Sequence, residues 1–266
     1  ALVSIGSTPS KKIVPQIAEE GALAIDNSNA FRMDKSVPLI VPEINPEEIE
    51  NNNGIIANPN CSTIQMVLAL KPIYEKAGKK RLVVSTYQAV SGTGKKAIDE
   101  LEKQVKDYVE NKELKSEVYP HQIAFNVLPH IDVFYDNGYT KEELKLVRET
   151  RKILGDSEMA ISSTAARIPV FYGHAESVNV ETKEKLKLDV LKNLLNNTDG
   201  VKVVDDPEND IYPLPVNSEN DDHVMVGRIR EDFSIENGIN MWVVANNLRK
   251  GAALNAVQIA EKIISN

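Results

Sequence analysis

The sequence predicts an α/β protein in which an incomplete parallel α/β domain is joined to an α+β domain built on a largely antiparallel sheet. Two patterns carry that expectation. At the front, short apolar runs are separated by a segment of helical spacing, which is the strand, helix, strand order of a parallel crossover. In the second half the strand-like runs lie closer together and alternate with polar residues, as antiparallel strands with one solvated face do.

Ala1 to Ile5 is an apolar run closed by Gly6, Ser7, Thr8 and Pro9, a strand ending in a turn. Ser10 to Glu20 places Ile13, Ile17 and Ala18 at helical spacing before Gly21 stops it, and Ala22 to Ile25 resumes as a strand. Val37 to Val41 and Gly54 to Ala57 read as further short strands. Asn58, Pro59 and Asn60 then turn the chain, and Ile64, Val67 and Leu68 recur at helical spacing, so Cys61 falls at a helix N-terminus. Leu82 to Tyr87 is a strand, Ser91 to Gly94 a loop, and Ala97, Ile98, Leu101, Val105 and Tyr108 mark a long amphipathic helix. Thr140 and Glu143 form a capping box that opens another helix. From Met159 to about Val204 strands dominate, with one helix at Lys183 to Asn196. Val224 to Ile229 and Ile239 to Val244 add strands, and Leu248 to Ile264 is a closing helix expected to pack back on the first domain. The division is therefore residues 1–60 with 245–266 in one domain and 61–244 in the other.

At 266 residues with 42% hydrophobic and 26% charged side chains, the chain can bury a substantial core without staples. No apolar run approaches the roughly 20 residues of a membrane span, and the N-terminus lacks the basic lead of a signal peptide. A net charge of -8 argues against a nucleic-acid surface. Cys61 is the only cysteine, which excludes an internal disulfide and a multi-cysteine metal site and suits a reducing cytoplasm.

A thiol at a helix N-terminus sees the positive end of the macrodipole and unpaired N–H groups, which favour thiolate and can hold an oxyanion. Such a nucleophile needs a proton-transfer partner, and of His121, His130, His174 and His223 the best placed is His174, after Gly173 at the end of an extended segment. Arg167 lies on that segment at an even separation from Gly173, so both are expected on one face of a strand, where the guanidinium can clamp a carboxylate. Glu149 and Lys152 stand three apart on the capped helix and share a face, either as a solvated ion pair or lining a pocket with Lys152 on a phosphate and Glu149 on an ammonium. The loop Ser91, Gly92, Thr93, Gly94 allows close approach of a phosphate or a nicotinamide ring. No G-x-G-x-x-G fingerprint follows a first strand.

The runs NPNCSTIQM at 58–66, VSTYQAVSGTG at 84–94, AFNVLPHIDVF at 124–134, RIPVFYGHAESV at 167–178 and MWVVANNLRKGAA at 241–253 resemble aspartate-semialdehyde dehydrogenases, closest to the Gram-positive bacterial branch. The resemblance spans nearly the whole chain. It implies a Rossmann-type parallel α/β domain, truncated at its N-terminus, and an α+β catalytic and dimerisation domain. It further implies reversible NADP-dependent reduction of L-aspartyl-4-phosphate to L-aspartate 4-semialdehyde, a cytoplasmic step toward lysine, threonine and methionine, by a homodimer with no metal. On that likeness Cys61 is the nucleophile, His174 the general acid/base, and Gln88 orients the acyl intermediate. Arg167 binds the substrate α-carboxylate, Glu149 its amino group and Lys152 the phosphate, with Asn60 in the same substrate group. Ser91, Gly92, Pro129 and Asn247 contact the nicotinamide cofactor, and the run SIGST, with Ser4 and Gly6, lines the same cleft.

Two departures stand out. Ala165 occupies a position where the family usually has a cysteine. The glycine-rich strand-turn-helix that seats the cofactor pyrophosphate, and a following loop that supplies a phosphate-binding arginine, are expected to be missing. Related acyl-phosphate reductases, acting on N-acetyl-glutamyl phosphate or glyceraldehyde 3-phosphate chemistry, and a non-catalytic dimerising scaffold are the alternatives.

Overall fold

The structure is a computed structural model and describes residues 1–265. Three short apolar strands build the first sheet: β1 (Leu2–Val3), β2 (Ala24–Asp26) and β3 (Ile55–Ala57), paired in parallel in that order. Leu2 sits beside Ile25 and Ala24 beside Ile55. Helix α1 (Ser7–Glu19) makes the crossover from β1 to β2 and tucks Val14 against Val3 and Ala24. It starts three residues before the sequence suggests, because Pro9 is tolerated in a first helical turn. Gly6 turns into it with φ of +82°, a conformation costly for any residue with a Cβ.

The expected strand at Val37 to Val41 reduces to a single bridge between Leu39 and Ala57. Pro38 and Pro42 bracket it and donate nothing to a ladder. The Asn45 side chain instead takes the Val41 N–H at 3.0 Å and gives its own N–H to the Leu39 carbonyl at 2.9 Å.

The second domain rests on α2 (Cys61–Ala77), whose Ile64, Met66, Leu68, Leu70 and Ile73 are fully buried. It lies across a six-stranded sheet of order β5-β4-β6-β9-β8-β7. These strands are β4 (Lys79–Gln88), β5 (Ala160–Arg167), β6 (His174–Thr182), β7 (Val201–Val203), β8 (Val224–Asp232) and β9 (Gly238–Ala245). Three of the five pairings are antiparallel, while β4 with β5 and β7 with β8 run parallel. Alternate residues Leu82, Val84, Val178, Val180, Met241, Val243, Val224 and Val226 point at α2 and form the main core with it. Each such side chain is worth roughly 1.5–3 kcal/mol against exposure.

Two further helices, α4 (Lys141–Ile153) and α5 (Leu188–Asn196), flank the sheet, while α3 (Lys95–Val109) packs Ala97 and Leu101 on Val90, Ile123, Ala124 and Leu128. The capping box on α4 forms as the sequence implies, with Thr140 Oγ1 accepting from Glu143 N and Glu143 Oε2 accepting from Thr140 N. The closing segment winds first as a π-helical turn, Arg249–Ala253, and then as α6 (Leu254–Ser265). Ala256 and Ile259 of α6 pack on Ile25, Ile40, Ile49 and Ile56, so the last helix does return to the first sheet.

One expectation about the site is corrected here. Arg167 and Gly173 do not share a strand: Arg167 ends β5, His174 begins β6, and the chain between them crosses over the end of β4. Arg167 is the register partner of Gln88, and Ala175 that of Tyr87. Two strands finishing where a third begins bring Gln88, Arg167 and His174 to one end of the sheet, beside the start of α2.

Candidate active site

Asn60 is the N-cap of α2, its Oδ1 accepting from Ser62 N at 3.1 Å. The cap is itself gripped by α4: Asn60 Nδ2 donates to Glu142 Oε1 at 2.9 Å and Asn60 N to Glu149 Oε2 at 2.6 Å. Gln88, at the end of β4, donates from Nε2 to Ser62 Oγ at 2.6 Å and to Glu142 Oε1 at 3.1 Å. These bonds fix the first turn of α2, and with it Cys61, at the wall of a cavity of about 500 Å³.

Opposite the sulfur, the backbone of Ala89 organises two side chains at once. Arg167 Nη1 donates to its carbonyl at 2.7 Å, and its N–H donates to His174 Nδ1 at 3.0 Å. Accepting at Nδ1 places the proton of the neutral ring on Nε2, and that nitrogen is buried with no partner. Arg167 Nε is likewise unpartnered. Asn247 ties Ser91 to the start of β6 by pairing with Ser91 Oγ and accepting from Gly173 N at 3.0 Å. A Cβ on Gly92 would lie 3.0 Å from Arg167 Nη1 and 3.2 Å from His174 Nε2, so only a hydrogen separates this loop from the reactive groups. On the other side Gly251 of the π-helical turn approaches so closely that a Cβ would sit 2.9 Å from that of Cys61.

Electrostatics correct one expectation. Burial, reinforced by the Glu142 carboxylate, pushes the Cys61 thiol up to about 12, against the opposing pull of Arg32, Arg167 and the Ser62 N–H. The helix terminus therefore does not hold the free sulfur ionised; Asn60 already caps one of the N–H groups that would do so. Burial and the neighbouring Arg167 charge take His174 down to about 3, so its ring is neutral. Glu142 is raised by burial but held at about 2 by Lys145, Gln88 and Asn60, and stays ionised.

Of the residues singled out in the sequence, Asn60, Cys61, Gln88, Ser91, Gly92, Arg167, His174 and Asn247 line this cleft. Glu149 and Lys152 do not. Glu149 is spent on Asn60 N and on Arg32 Nη1 at 3.1 Å. Lys152 Nζ donates to the carbonyls of Arg32, Asp34 and Val37 at 2.7–2.8 Å, where it braces the two domains. The pair that faces the cleft is Glu142 and Lys145, two helical turns earlier with the same spacing, Lys145 bonding Glu142 at 2.9 Å and Asp132 at 3.1 Å. Pro129 is exposed and does not itself line the cleft, although Ile131 and Asp132 just after it do. Ser4 and Gly6 reach it only through neighbours, Ser4 by accepting from Asn27 and Gly6 by leading into Ser7. The first domain also contributes an arginine that the sequence reading passed over: Arg32 lines the cleft, its guanidinium held by Asn58 O, Asn27 O and Glu149. Its signal was its place in the turn-rich stretch after β2, at the carboxyl end of a parallel sheet where ligands gather.

Residues 70–250 match the family model described as semialdehyde dehydrogenase, dimerisation domain, and residues 1–52 match semialdehyde dehydrogenase, NAD binding domain. The aspartate-semialdehyde dehydrogenase of Aquifex aeolicus is 57% identical over 99% of this chain and 78% of its own length. The chain belongs to the aspartate-semialdehyde dehydrogenase family. A crystal structure of aspartate semialdehyde dehydrogenase II from Vibrio cholerae, in complex with ASA, superposes with a TM-score of 0.97 at 49% identity, covering all of this chain and 79% of that one. The Candida albicans enzyme, solved with NADP, gives 0.77 at 27% identity, covering 99% of this chain and 76% of its own. The NAD binding match takes in β1 and β2 of the parallel sheet, and the dimerisation match takes in every strand of the six-stranded one. Within that family the first sheet carries dinucleotide binding and the second dimerisation. Among the described residues no group of His, Cys, Asp and Glu could hold a metal ion, and no helix is long and apolar enough to cross a membrane.

Proposed function

We propose that the chain reduces L-aspartyl-4-phosphate to L-aspartate 4-semialdehyde, reversibly and with NADP, through a thioester on Cys61. The supporting observation is the convergence on one cleft of a lone cysteine, a buried arginine with a free N–H, and a neutral imidazole whose Nε2–H has no other partner. The Arg167 guanidinium suits the substrate α-carboxylate, Glu142 its ammonium, and Arg32 with Lys145 the phosphate. The Cys61 sulfur bonds to the acyl carbon as the carbon–oxygen bond to phosphate breaks. The thiol proton ends on the departing phosphate, so charge balances with no free thiolate at rest. A neutral resting thiol also spares the sulfur from adventitious oxidation, which requires thiolate.

Ser91, Gly92 and Asn247 fit a nicotinamide ring, because the glycine leaves a cradle that a Cβ would fill beside His174. Bound there, the nicotinamide supplies the hydride that reduces the thioester. His174 then donates its Nε2–H to the oxygen anion at the former acyl carbon, as an oxyanion donor does. Collapse re-forms the carbonyl, returns the electron pair to sulfur and releases the aldehyde, and the Cys61 thiolate then takes one proton from water to restore the resting thiol.

Residues 1–60 with 245–266 are the dinucleotide-binding unit in this reading and 61–244 the catalytic and dimerising one, and the protein works as a cytoplasmic homodimer. Phosphate-dependent reduction of NADP is the test, with aspartate semialdehyde, N-acetyl-glutamate semialdehyde and glyceraldehyde 3-phosphate compared side by side and NAD as the second cofactor. Turnover with the first aldehyde alone, abolished in Cys61→Ala, supports the reading. Turnover that survives that substitution, or none with any aldehyde, removes it.

A further inference from the structure

Behind His174 lies a set of polar groups that the chemistry above does not use. Glu176, two residues along β6 on the same face as His174, has no solvent exposure, and neither carboxyl oxygen has a hydrogen-bond partner. Its register neighbours are Thr86 on β4 and Val243 on β9. Thr86 Oγ1 is buried and unpartnered as well, and so is Gln65 Oε1 on α2, while the Gln65 Nε2 donates to the carbonyl of His174 at 3.4 Å. Four orphaned atoms from three neighbouring side chains are too many for an interior where buried polar groups are normally paired.

The inventory of donors and acceptors allows an arrangement that satisfies them all. The Thr86 hydroxyl donates to one Glu176 oxygen, the other Glu176 oxygen carries a proton and donates to Gln65 Oε1, and Gln65 Nε2 keeps the His174 carbonyl. We propose that Glu176 is a positioning residue for His174, an uncharged acid whose bonds to Thr86 and Gln65 hold the Gln65 amide in the orientation that anchors the His174 backbone. The surroundings agree: Thr86, Val243, Gln65, His174 and Val178 face it, and none is a cation. Burial drives its carboxyl well above the usual range. An ionised carboxylate would be an acceptor facing the Gln65 oxygen, and the amide would have to turn over and release His174.

This inference rests on the reading of His174 as the proton donor, and the experiment separates the two. Glu176→Gln reproduces the whole pattern, accepting from Thr86 and donating to Gln65, whereas Glu176→Leu fills the same space without it. The expected result is that Glu176→Gln keeps kcat within about threefold, while Glu176→Leu lowers kcat about 10- to 100-fold with KM nearly unchanged, the size of effect that slight misplacement of a reacting group produces. Gln65→Leu breaks the relay from its other end and is expected to lose kcat equally, and it decides alone if Glu176→Leu does not fold. A Glu176→Leu or Gln65→Leu enzyme with undiminished kcat overturns the inference, as does a Glu176→Gln enzyme as impaired as Glu176→Leu. His174→Ala is measured beside them: if it retains kcat the reading of His174 fails, and if it loses kcat while Glu176→Leu does not, only the role of Glu176 fails.

Discussion

Glu142→Gln sets stability and thiol reactivity in opposite directions. The Glu142 carboxylate accepts from Asn60, Gln88 and Lys145 at 2.9, 3.1 and 2.9 Å, and it is almost wholly buried. Its titration at about 2 in the fold, against an ordinary 4.5, corresponds to about 3 kcal/mol of stability at neutral pH. Because the folded value is the lower one, that contribution is complete above pH 4.5 and is lost as pH falls toward 2. The variant has no such titration, so it should unfold about 3 kcal/mol more easily than the parent at pH 7, a fall of roughly 6–10 °C in Tm, and the gap should close between pH 4.5 and 2. Glu142 is also the second largest influence holding Cys61 protonated. Its neutralisation therefore speeds alkylation of Cys61 by iodoacetamide at pH 8, about tenfold for each pH unit by which the thiol becomes more acidic. Urea titrations at several pH values and alkylation rates measure both. A variant as stable as the parent at pH 7, or one whose Cys61 reacts more slowly, refutes the electrostatic account.

Arg167→Lys keeps the charge but removes the planar fork, and kcat/KM for the semialdehyde should fall about 30-fold or more, the cost of a lost buried charged contact; steady-state kinetics decide. Lys145→Ala should raise KM for phosphate about tenfold while Lys152→Ala leaves it within about twofold, because only the former faces the cleft. Equal effects would restore Lys152 to the site. Gly251→Ala forces the π-helical turn away from Cys61 and should cost about 1–3 kcal/mol of stability, as overpacking does, together with slower acylation of the sulfur, read by denaturation and by single-turnover kinetics.

The parts of the site that local chemistry dictates were legible in the sequence. Asn-Pro-Asn before an apolar helical stripe located Cys61 at a helix start, and Thr140 with Glu143 located the start of α4. What was not legible depends on how elements meet. Glu149 and Lys152 share a helix face with Glu142 and Lys145, and only the packing of α4 against α2 shows which pair reaches the cleft. The even spacing of Arg167 and Gly173 suggested one strand, but β4 lies between β5 and β6 in the sheet, so the chain must leave one strand and enter the other. Periodicity also overcalled a strand at Val37 to Val41, where flanking prolines and the Asn45 side chain take over the hydrogen bonding. Terminal dipoles suggested a thiolate, and the loss of solvent around the sulfur outweighed them.

Asn58, just before the nucleophile, is bonded by Ala252 and Asn255 from 194 and 197 positions further along, and Lys250 reaches back to Glu43 across 207. A ribosome must therefore carry synthesis far beyond Cys61 before the turn that presents it can be clasped. Contacts so distant in sequence form late and slowly. The nascent chain thus keeps its sulfur unpresented until assembly is finished, and any refolding assay should see enzymatic competence return after the secondary structure does.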